Sequence, residues 1–212
     1  MKPKTLDHVA LWVADRGRMT AAAVERLGVR VIEETDRFTL LGTDARRGKL
    51  TLFDAEGPRE QGALRSIALR VSALAGREPV VDLGEGVRIE LVETRTDSEL
   101  DLDRVTLVAS DVEAAAAGWE ALGFSRVGDA RLEVGGAFLE LVPGDPGPPE
   151  RPLLNHVAVL VDSVAEHQDA AGELGVEIDD LVDAPNTVAL FVYGPDRVRL
   201  EYVEHKPSFS LT

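Results

Sequence analysis

Two of the four histidines occupy the same place in a repeated segment of the chain. His8 lies in LDHVALWV (residues 6–13), and His156 lies in LNHVAVLV (residues 154–161). Imidazole nitrogens bind metals and transfer protons near neutral pH. Recurrence at one register therefore predicts that two distant segments aim their imidazoles at one shared point. The competing interpretation is that both rings are core residues, hydrogen-bonded within a sheet.

A carboxylate recurs in a similar way near the end of each repeat. The equivalent positions hold Thr51, Glu90, Glu140 and Glu201. A glutamate inside a mostly apolar strand is costly to bury unless it is paired or bound to a metal. Glu201 is the strongest candidate because its own repeat carries a histidine, whereas Glu90 and Glu140 are expected on a solvated face. The chain has no cysteine, so imidazole and carboxylate would have to hold any metal.

The histidine segment has two further copies in the chain. They carry Ser66 and Arg104 in place of the histidine. Alternate residues of a strand share a face, so each histidine shares its face with an alanine two residues later. The opposite, valine-rich face suits packing under a helix.

Each copy begins a unit that predicts a strand, a helix and three further strands. In three units an aspartate stands near the helix start and Leu-Gly closes the helix, as expected for a side-chain N-cap and a left-handed C-terminal glycine. These pairs are Asp15 with Gly28, Asp111 with Gly123, and Asp162 with Gly175. The second unit is shortened, because residues 72–78 leave room for only a turn or two of helix.

The chain is therefore expected to be an α+β protein of four βαβββ modules, the second one degenerate. The modules span about residues 5–55, 62–94, 101–143 and 152–204. A polar link over residues 94–101 divides the chain into an N-terminal half, residues 1–98, and a C-terminal half, residues 99–212. Each half contains two modules.

Charge and composition restrict the partners. The formal net charge of −15 argues against nucleic acid, whose binding needs phosphate-neutralising cations, and against an anionic membrane surface. No apolar run approaches the roughly 20 residues needed to cross a bilayer, and the N-terminus shows no signal-peptide apolar region. We expect a cytoplasmic monomer or homodimer that acts on a small molecule.

Four such modules, with histidine on a first strand and glutamate on a last strand, resemble the vicinal oxygen chelate superfamily. That superfamily includes glyoxalase I, the bleomycin-resistance proteins and the extradiol dioxygenases. The stretch FVYGPDRVRLEY, residues 191–202, is similar to the final turn and metal-binding strand of the family. The resemblance implies two curved mixed-sheet cups, each built from two modules. A cup of this family holds a divalent ion, with ligands from the first and last strands of both modules.

Module pairing then decides the metal site. If the first module pairs with the fourth, the ligand positions read His8, Thr51, His156 and Glu201. A set of two histidines and one carboxylate with open positions suits non-haem Fe(II), with Zn, Mn and Ni as alternatives. Consecutive pairing would separate the two histidines and place Arg104 among the ligands. We favour the first arrangement, and pairing across a dimer interface is a third.

The resemblance leaves three functions open. The first is an Fe(II) dioxygenase that acts on a small substrate with vicinal oxygens. The second is a glyoxalase or epimerase type of lyase or isomerase, in which the metal is a Lewis acid and a carboxylate moves protons. The third is a metal-free protein of the bleomycin-resistance type that binds a drug or metabolite.

The acid–base residue of such an enzyme is not evident from the sequence. Extradiol enzymes carry a further histidine on an inner strand of the final module, but no histidine lies between His167 and Glu201 here. Phe191 stands where those enzymes have a tyrosine. His167 itself is expected on the solvated face of the last helix.

Three residues remain as catalytic candidates, namely Tyr193, Glu140 and His205. Tyr193 is close to the expected tyrosine position but offset from it, and Glu140 would be the base of a lyase. His205 follows the predicted last strand, as a second-shell group or as part of the C-terminal tail, of which the tail is the preferred interpretation.

Overall fold

The computed structural model describes residues 1–43, 49–74, 76–95, 98–147 and 150–209. Within these residues, three α-helices and fifteen strands follow the order of the predicted modules. The first module comprises β1 (Thr5–Val13), α1 (Arg16–Leu27), β2 (Arg30–Glu34), β3 (Phe38–Gly42) and β4 (Lys49–Asp54). The second comprises β5 (Leu64–Val71), β6 (Val80–Gly84) and β7 (Val87–Glu93).

The C-terminal modules contain the remaining elements. The third comprises β8 (Asp101–Ala109), α2 (Val112–Ala121), β9 (Ser125–Gly128), β10 (Arg131–Val134) and β11 (Ala137–Pro143). The fourth comprises β12 (Leu154–Leu160), α3 (Val164–Leu174), β13 (Ile178–Asp183), β14 (Thr187–Tyr193) and β15 (Arg199–His205), with a 3-10 turn at Pro195–Arg197 between the last two strands.

The second module is more reduced than predicted. No helix occurs in the part of residues 72–78 that the structure describes, so the expected turn or two is absent there. Residue 75 lies outside the described residues, as do residues 96–97 of the polar link between the halves. No described helix is both long and apolar enough to cross a membrane.

The strands form two mixed sheets, which confirms the predicted α+β class. The eight-stranded sheet has the order β13-β14-β15-β12-β1-β4-β3-β2, and the seven-stranded sheet has the order β6-β7-β5-β8-β11-β10-β9. The first module therefore pairs with the fourth, and the second pairs with the third. Each sheet takes one module from each half of the chain, and consecutive pairing is wrong.

The valine-rich face of β1 lies in the hydrophobic core, as its alternation predicts. Val9, Leu11 and Val13 are fully buried. Burying each of these side chains contributes about 1.5–3 kcal/mol. This burial holds β1 in one register and leaves its other face for the histidine.

Two of the three predicted aspartate caps are present. Asp15 and Asp111 accept hydrogen bonds from backbone N–H groups in the first turns of α1 and α2. The prediction for Asp162 is wrong, because the hydroxyl of Ser163 caps α3 by accepting from the N–H of Glu166. Asp162 instead forms an ion pair with Lys4.

His167 is also not where it was expected. It is buried, with only 5% of its surface exposed. Its Nδ1 lies 2.7 Å from the carbonyl of Ser163, and its Nε2 accepts a hydrogen bond from the backbone N–H of Lys2 at 3.1 Å. The ring packs against Tyr202, so His167 ties the N-terminus to α3 and β15. His167 is therefore a core histidine whose two ring nitrogens both have hydrogen-bond partners, and it is not part of the group formed by His8 and His156.

Candidate metal centre

The pairing of β1 with β12 brings the two histidine strands together. In this antiparallel pair His8 lies opposite Ala158, and His156 lies opposite Ala10. Residues opposite each other in a sheet point to the same face. Each imidazole therefore has a methyl group rather than a large side chain across from it, which leaves room for both rings.

The same two alanines pair with the strands that carry Glu201 and Thr51. Ala158 pairs with Glu201 of β15, and Ala10 pairs with Thr51 of β4, both in parallel register. His8 and His156 on the two central strands are thus flanked by Glu201 on one side and Thr51 on the other. These are the four positions expected for pairing of the first and fourth modules.

The nitrogen and oxygen atoms of His8, His156 and Glu201 converge on one point. The distance between the two Nε2 atoms is 3.0 Å. Glu201 Oε2 lies 2.8 Å from the Nε2 of His156 and 3.2 Å from the Nε2 of His8. Adjacent ligands about 2.1 Å from an octahedral ion lie about 3.0 Å apart. The three atoms therefore have the spacing of one face of a metal coordination shell.

The hydrogen bonds on the far side of the two rings define their tautomers. His8 Nδ1 lies 2.8 Å from Asp7 Oδ1, and His156 Nδ1 lies 3.0 Å from Asn155 Oδ1. Because these oxygens accept hydrogen bonds, each Nδ1 carries a proton and each Nε2 faces the shared point, where it can offer a lone pair to a metal. Glu201 Oε2 is buried, and it lies close to the two Nε2 atoms without a well-aligned hydrogen bond to a described residue. A cation fits between three such acceptors.

Two β-bulges place these supporting residues. The register of β1 against β12 skips Asp7 in one strand and Asn155 in the other. An extra residue re-aims its side chain relative to regular alternation, so each can reach the histidine that follows it. Sequence reasoning missed both residues. The available signal was an acidic or amide residue directly before the histidine in both copies of the repeat.

Asp7 is the centre of a buried charge network. Lys49 Nζ donates to both of its carboxylate oxygens at 3.1 Å, and His205 Nε2 lies 3.3 Å from Oδ2. Burial raises the pKa of Asp7, but the Lys49 ammonium, His205 and His8 together outweigh burial and hold that pKa well below its ordinary value. Asp7 is therefore an anion behind His8.

The three converging side chains also perturb one another. Burial lowers the pKa of His8, but the carboxylates of Glu201 and Asp7 outweigh it and raise that pKa to about 9. Burial lowers the pKa of His156. Burial raises the pKa of Glu201, but the two histidines outweigh it and lower that pKa. Without a metal, a proton on His8 thus supplies positive charge that a bound cation would replace.

In the seven-stranded sheet, Arg104 occupies the position equivalent to a histidine of the candidate metal centre. Ala68 pairs with Arg104 on one side and with Glu90 on the other. In the eight-stranded sheet, Ala158 pairs with His8 and Glu201 in the same way. The guanidinium lies 2.5 Å from Glu90 Oε2 and 2.9 Å from Glu140 Oε2. Both glutamates are paired with this guanidinium, and their side chains are 32% and 39% exposed, so the face on which they were expected is partly open to water.

The three catalytic candidates lie in different places. Glu140 is in the seven-stranded sheet and cannot reach the centre. The guanidinium carbon of Arg197 lies over the ring of Tyr193, 4.1 Å from the ring centroid. Tyr193 lines a separate groove at the 3-10 turn. His205 is the last residue of β15 rather than part of a tail, and its ring stacks on Phe209 at 3.7 Å. It alone of the three lines the cavity at the centre.

That cavity has a volume of about 510 Å³ and opens directly in front of His8, His156 and Glu201. We call it the central cavity. Thr51 and His205 lie in its polar part. Its apolar walls include Phe38, Leu40, Phe53, Val182, Ala189, Phe191, Val203 and Phe209. It is concave, largely apolar and supplied with a few convergent polar groups, as small-molecule sites are.

Solved structures share this fold over nearly the whole chain. A protein of Bacillus subtilis subsp. subtilis strain 168 to which a dioxygenase activity is attributed superposes with a TM-score of 0.76, at 15% identity, covering 97% of this chain and 86% of that one. Glyoxalase I from Zea mays superposes with a TM-score of 0.72, at 20% identity, covering 94% and 92%. The cppA protein of Streptococcus pneumoniae TIGR4 gives 0.64, at 14% identity, covering 95% and 98%.

The similarity to known proteins is found in the structure and not in the sequence. No protein-family model matches the chain, and no curated protein matches it either. The two-sheet arrangement and the relatives above show that the chain has the vicinal oxygen chelate fold. The predicted resemblance is therefore confirmed for the fold.

Proposed function

We propose that this chain is a divalent-metal-dependent enzyme, most plainly a non-haem Fe(II) dioxygenase, that acts on a small substrate with two vicinal oxygens. The metal ligands are His8, His156 and Glu201. One observation carries the proposal, namely the convergence of two Nε2 lone pairs and a carboxylate oxygen at 2.8–3.2 Å. Two imidazole nitrogens and a buried carboxylate at these distances form a ligand set for a cation, whose place a proton on His8 takes in the metal-free protein.

The identity of the ligands favours iron. Two histidines and one carboxylate on one face leave the opposite positions open for a chelating substrate and for dioxygen. When bound, such an ion supplies Lewis acidity and a site where dioxygen and substrate are held together. Asp7 and Asn155 orient the two rings, and the apolar walls of the central cavity limit the access of water.

One residue of the central cavity is a candidate for proton transfer. His205 lines the central cavity, its imidazole is partly exposed there, and its Nε2 faces Asp7. An imidazole so placed is within reach of a substrate in the central cavity and can exchange a proton with it. It is not on the inner strand used by the extradiol enzymes, so it would serve the same need from a different element.

Lyase or isomerase chemistry of the glyoxalase type is the alternative. Such an enzyme needs a base beside the metal to move a proton on the substrate. The fourth ligand position holds Thr51, whose hydroxyl is no base at neutral pH, and the nearby carboxylate of Asp7 is engaged by Lys49. Neither of these two residues can be that base, so we prefer the dioxygenase, and a lyase would depend on His205.

Metal analysis tests the proposal. Protein prepared without oxygen and incubated with Fe(II), Zn, Mn or Ni is expected to retain one equivalent of metal. His8→Ala, His156→Ala and Glu201→Gln should abolish that binding, whereas Glu140→Gln in the other sheet should not. A wild-type protein that retains no metal, or a His156→Ala variant that retains it fully, would overturn the proposal.

Oxygen uptake separates the two chemistries. The Fe(II) protein should consume dioxygen with some members of a panel of small compounds that carry vicinal oxygens. Turnover of an α-oxo or hemithioacetal compound by the Zn or Ni protein, without any oxygen uptake, would replace the dioxygenase with the lyase.

A further inference from the structure

We propose that the substrate carries an uncharged, apolar group of about the size of one ring, held between Phe53 and Phe191 beside its two chelating oxygens. This inference rests on the proposed function and names the class of molecule that the central cavity accepts. It excludes substrates that would place a charged, peptide-like group inside the central cavity.

Aromatic side chains stand on both sides of the centre. Phe191 of β14 packs edge-on against the ring of His156, with a centroid distance of 5.3 Å. Phe53 of β4 approaches the same histidine from the opposite side at 6.4 Å. Both phenyl rings line the central cavity beside the converging ligand atoms, so a bound molecule lies next to them.

Neighbouring side chains hold both rings in place. Phe53 packs against Trp12 at 5.3 Å and against Phe38 at 5.7 Å, so that three aromatic rings form one wall. The other wall is stiffened by Arg199, whose guanidinium lies 3.9 Å from the Phe191 centroid. Walls built this way offer a rigid apolar surface to a ligand, at little cost in conformational entropy on binding.

The charges in the cavity interior are already engaged. Lys49 is 2% exposed, and both oxygens of Asp7 accept hydrogen bonds from its ammonium group. His205, which also lines the cavity, faces the same carboxylate, with its Nε2 3.3 Å from Asp7 Oδ2. Among the described lining residues, the remaining charged side chains outside the ligand set, Glu33 and Arg37, are exposed. A charged group deep in the cavity would therefore lose its hydration without gaining a partner.

The size of the central cavity agrees with this class of ligand. A volume of about 510 Å³ lies in the lower part of the range found for small-molecule sites, about 300–1,000 Å³. It accommodates a molecule of one or two rings together with its chelating oxygens.

Two hydroxamates provide a direct test. Acetohydroxamate and benzohydroxamate chelate a metal through the same pair of adjacent oxygens and differ in a methyl against a phenyl group. Titration calorimetry on Ni-loaded protein should find benzohydroxamate bound at least tenfold more tightly, because burial of the larger apolar group is favourable. The Phe53→Ala and Phe38→Ala variants should reduce this ratio below about threefold and leave the affinity for acetohydroxamate within about twofold.

Matched variants keep the result interpretable. Phe138→Ala removes a half-buried phenyl ring from β11 in the seven-stranded sheet and should leave the ratio unchanged. Phe53→Leu keeps an apolar side chain of similar volume and should retain an intermediate ratio if Phe53→Ala fails to fold.

Failure of this inference is distinct from failure of the proposed function. Equal affinity for the two hydroxamates in metal-loaded wild-type protein, or a ratio unaffected by both Phe53→Leu and Phe38→Ala, would overturn the inference while the metal site stands. A protein that binds no metal would overturn the proposed function, and this inference with it.

Discussion

Lys49 and Asp7 form a buried ion pair directly behind the candidate metal centre. The Lys49 ammonium lies 3.1 Å from both carboxylate oxygens, and the side chains are only 2% and 4% exposed. Such a pair is costly to form but more costly to break, because the remaining partner is left as an uncompensated buried charge.

Lys49→Met should therefore destabilise the protein by about 3–5 kcal/mol. The methionine fills a similar volume, so most of the loss comes from the unpaired Asp7 carboxylate. Urea denaturation of the metal-free protein measures this change. The double variant Asp7→Asn with Lys49→Met should recover part of the stability, and a Lys49→Met variant as stable as the wild type would contradict the ion-pair assignment.

Asp7→Asn alone should weaken metal binding by about 10- to 100-fold. An amide still reaches His8 Nδ1, but it no longer supports the ring with a negative charge, which lowers the basicity of Nε2 as a ligand. Competition with a chromophoric chelator gives the metal affinity. Asp103→Asn is the matched control, since Asp103 precedes Arg104 as Asp7 precedes His8. Equal metal affinity of Asp7→Asn and the wild type would show that Asp7 does not support the ligand.

Arg104→His should create a second metal site in the seven-stranded sheet. The substitution replaces an internal cation with a neutral imidazole between Glu90 and Glu140, whose carboxylates already converge on that position. Metal analysis should rise from one to two equivalents. Arg104→Met offers no ligand and should stay at one equivalent, with lower stability from the two facing carboxylates. One equivalent in Arg104→His would show that these carboxylates do not present a cation site.

The stability of the metal-free protein should depend on the protonation of His8. Its pKa is about 9 in the folded protein and about 6.5 in the unfolded chain. The stabilisation is therefore fully present below pH of about 6.5, and it is lost as the pH rises through about 9, on the order of 1–3 kcal/mol. Urea denaturation between these pH values should show the decline. His8→Gln should flatten it, and a decline of the same size in that variant would assign it to another group.

Much of the local structure could be predicted from the sequence. Alternation of apolar residues in β1, β8 and β12 predicts strands, and the aspartate and Leu-Gly signals predict α1 and α2. These features depend on a few neighbouring residues and on backbone chemistry, so short windows suffice. Ser163 shows the limit, because it stands next to Asp162 and only the geometry of the turn selects which of them caps α3.

The site was predictable in its members but not in its assembly. The repeat register singled out His8, His156 and Glu201 by residue type and position. That register favoured the pairing of the first module with the fourth, because this pairing brings both histidines together. It could not decide the pairing, since β1 and β12 are far apart in the chain and each module has similar edges. The two carboxylate partners of Arg104 could not be predicted for the same reason, because they meet around it only when β5 pairs with β8.

The sequence by itself thus determined the modules, the faces of their strands and the residues able to bind a metal, because these follow from local periodicity and side-chain chemistry. Only the tertiary structure decided that the first module lies beside the fourth, that bulges turn Asp7 and Asn155 towards the two imidazoles, and that His167 is buried. The physical reason is that strand pairing over 148 residues, from His8 to His156, depends on the packing of the whole chain rather than on any one segment.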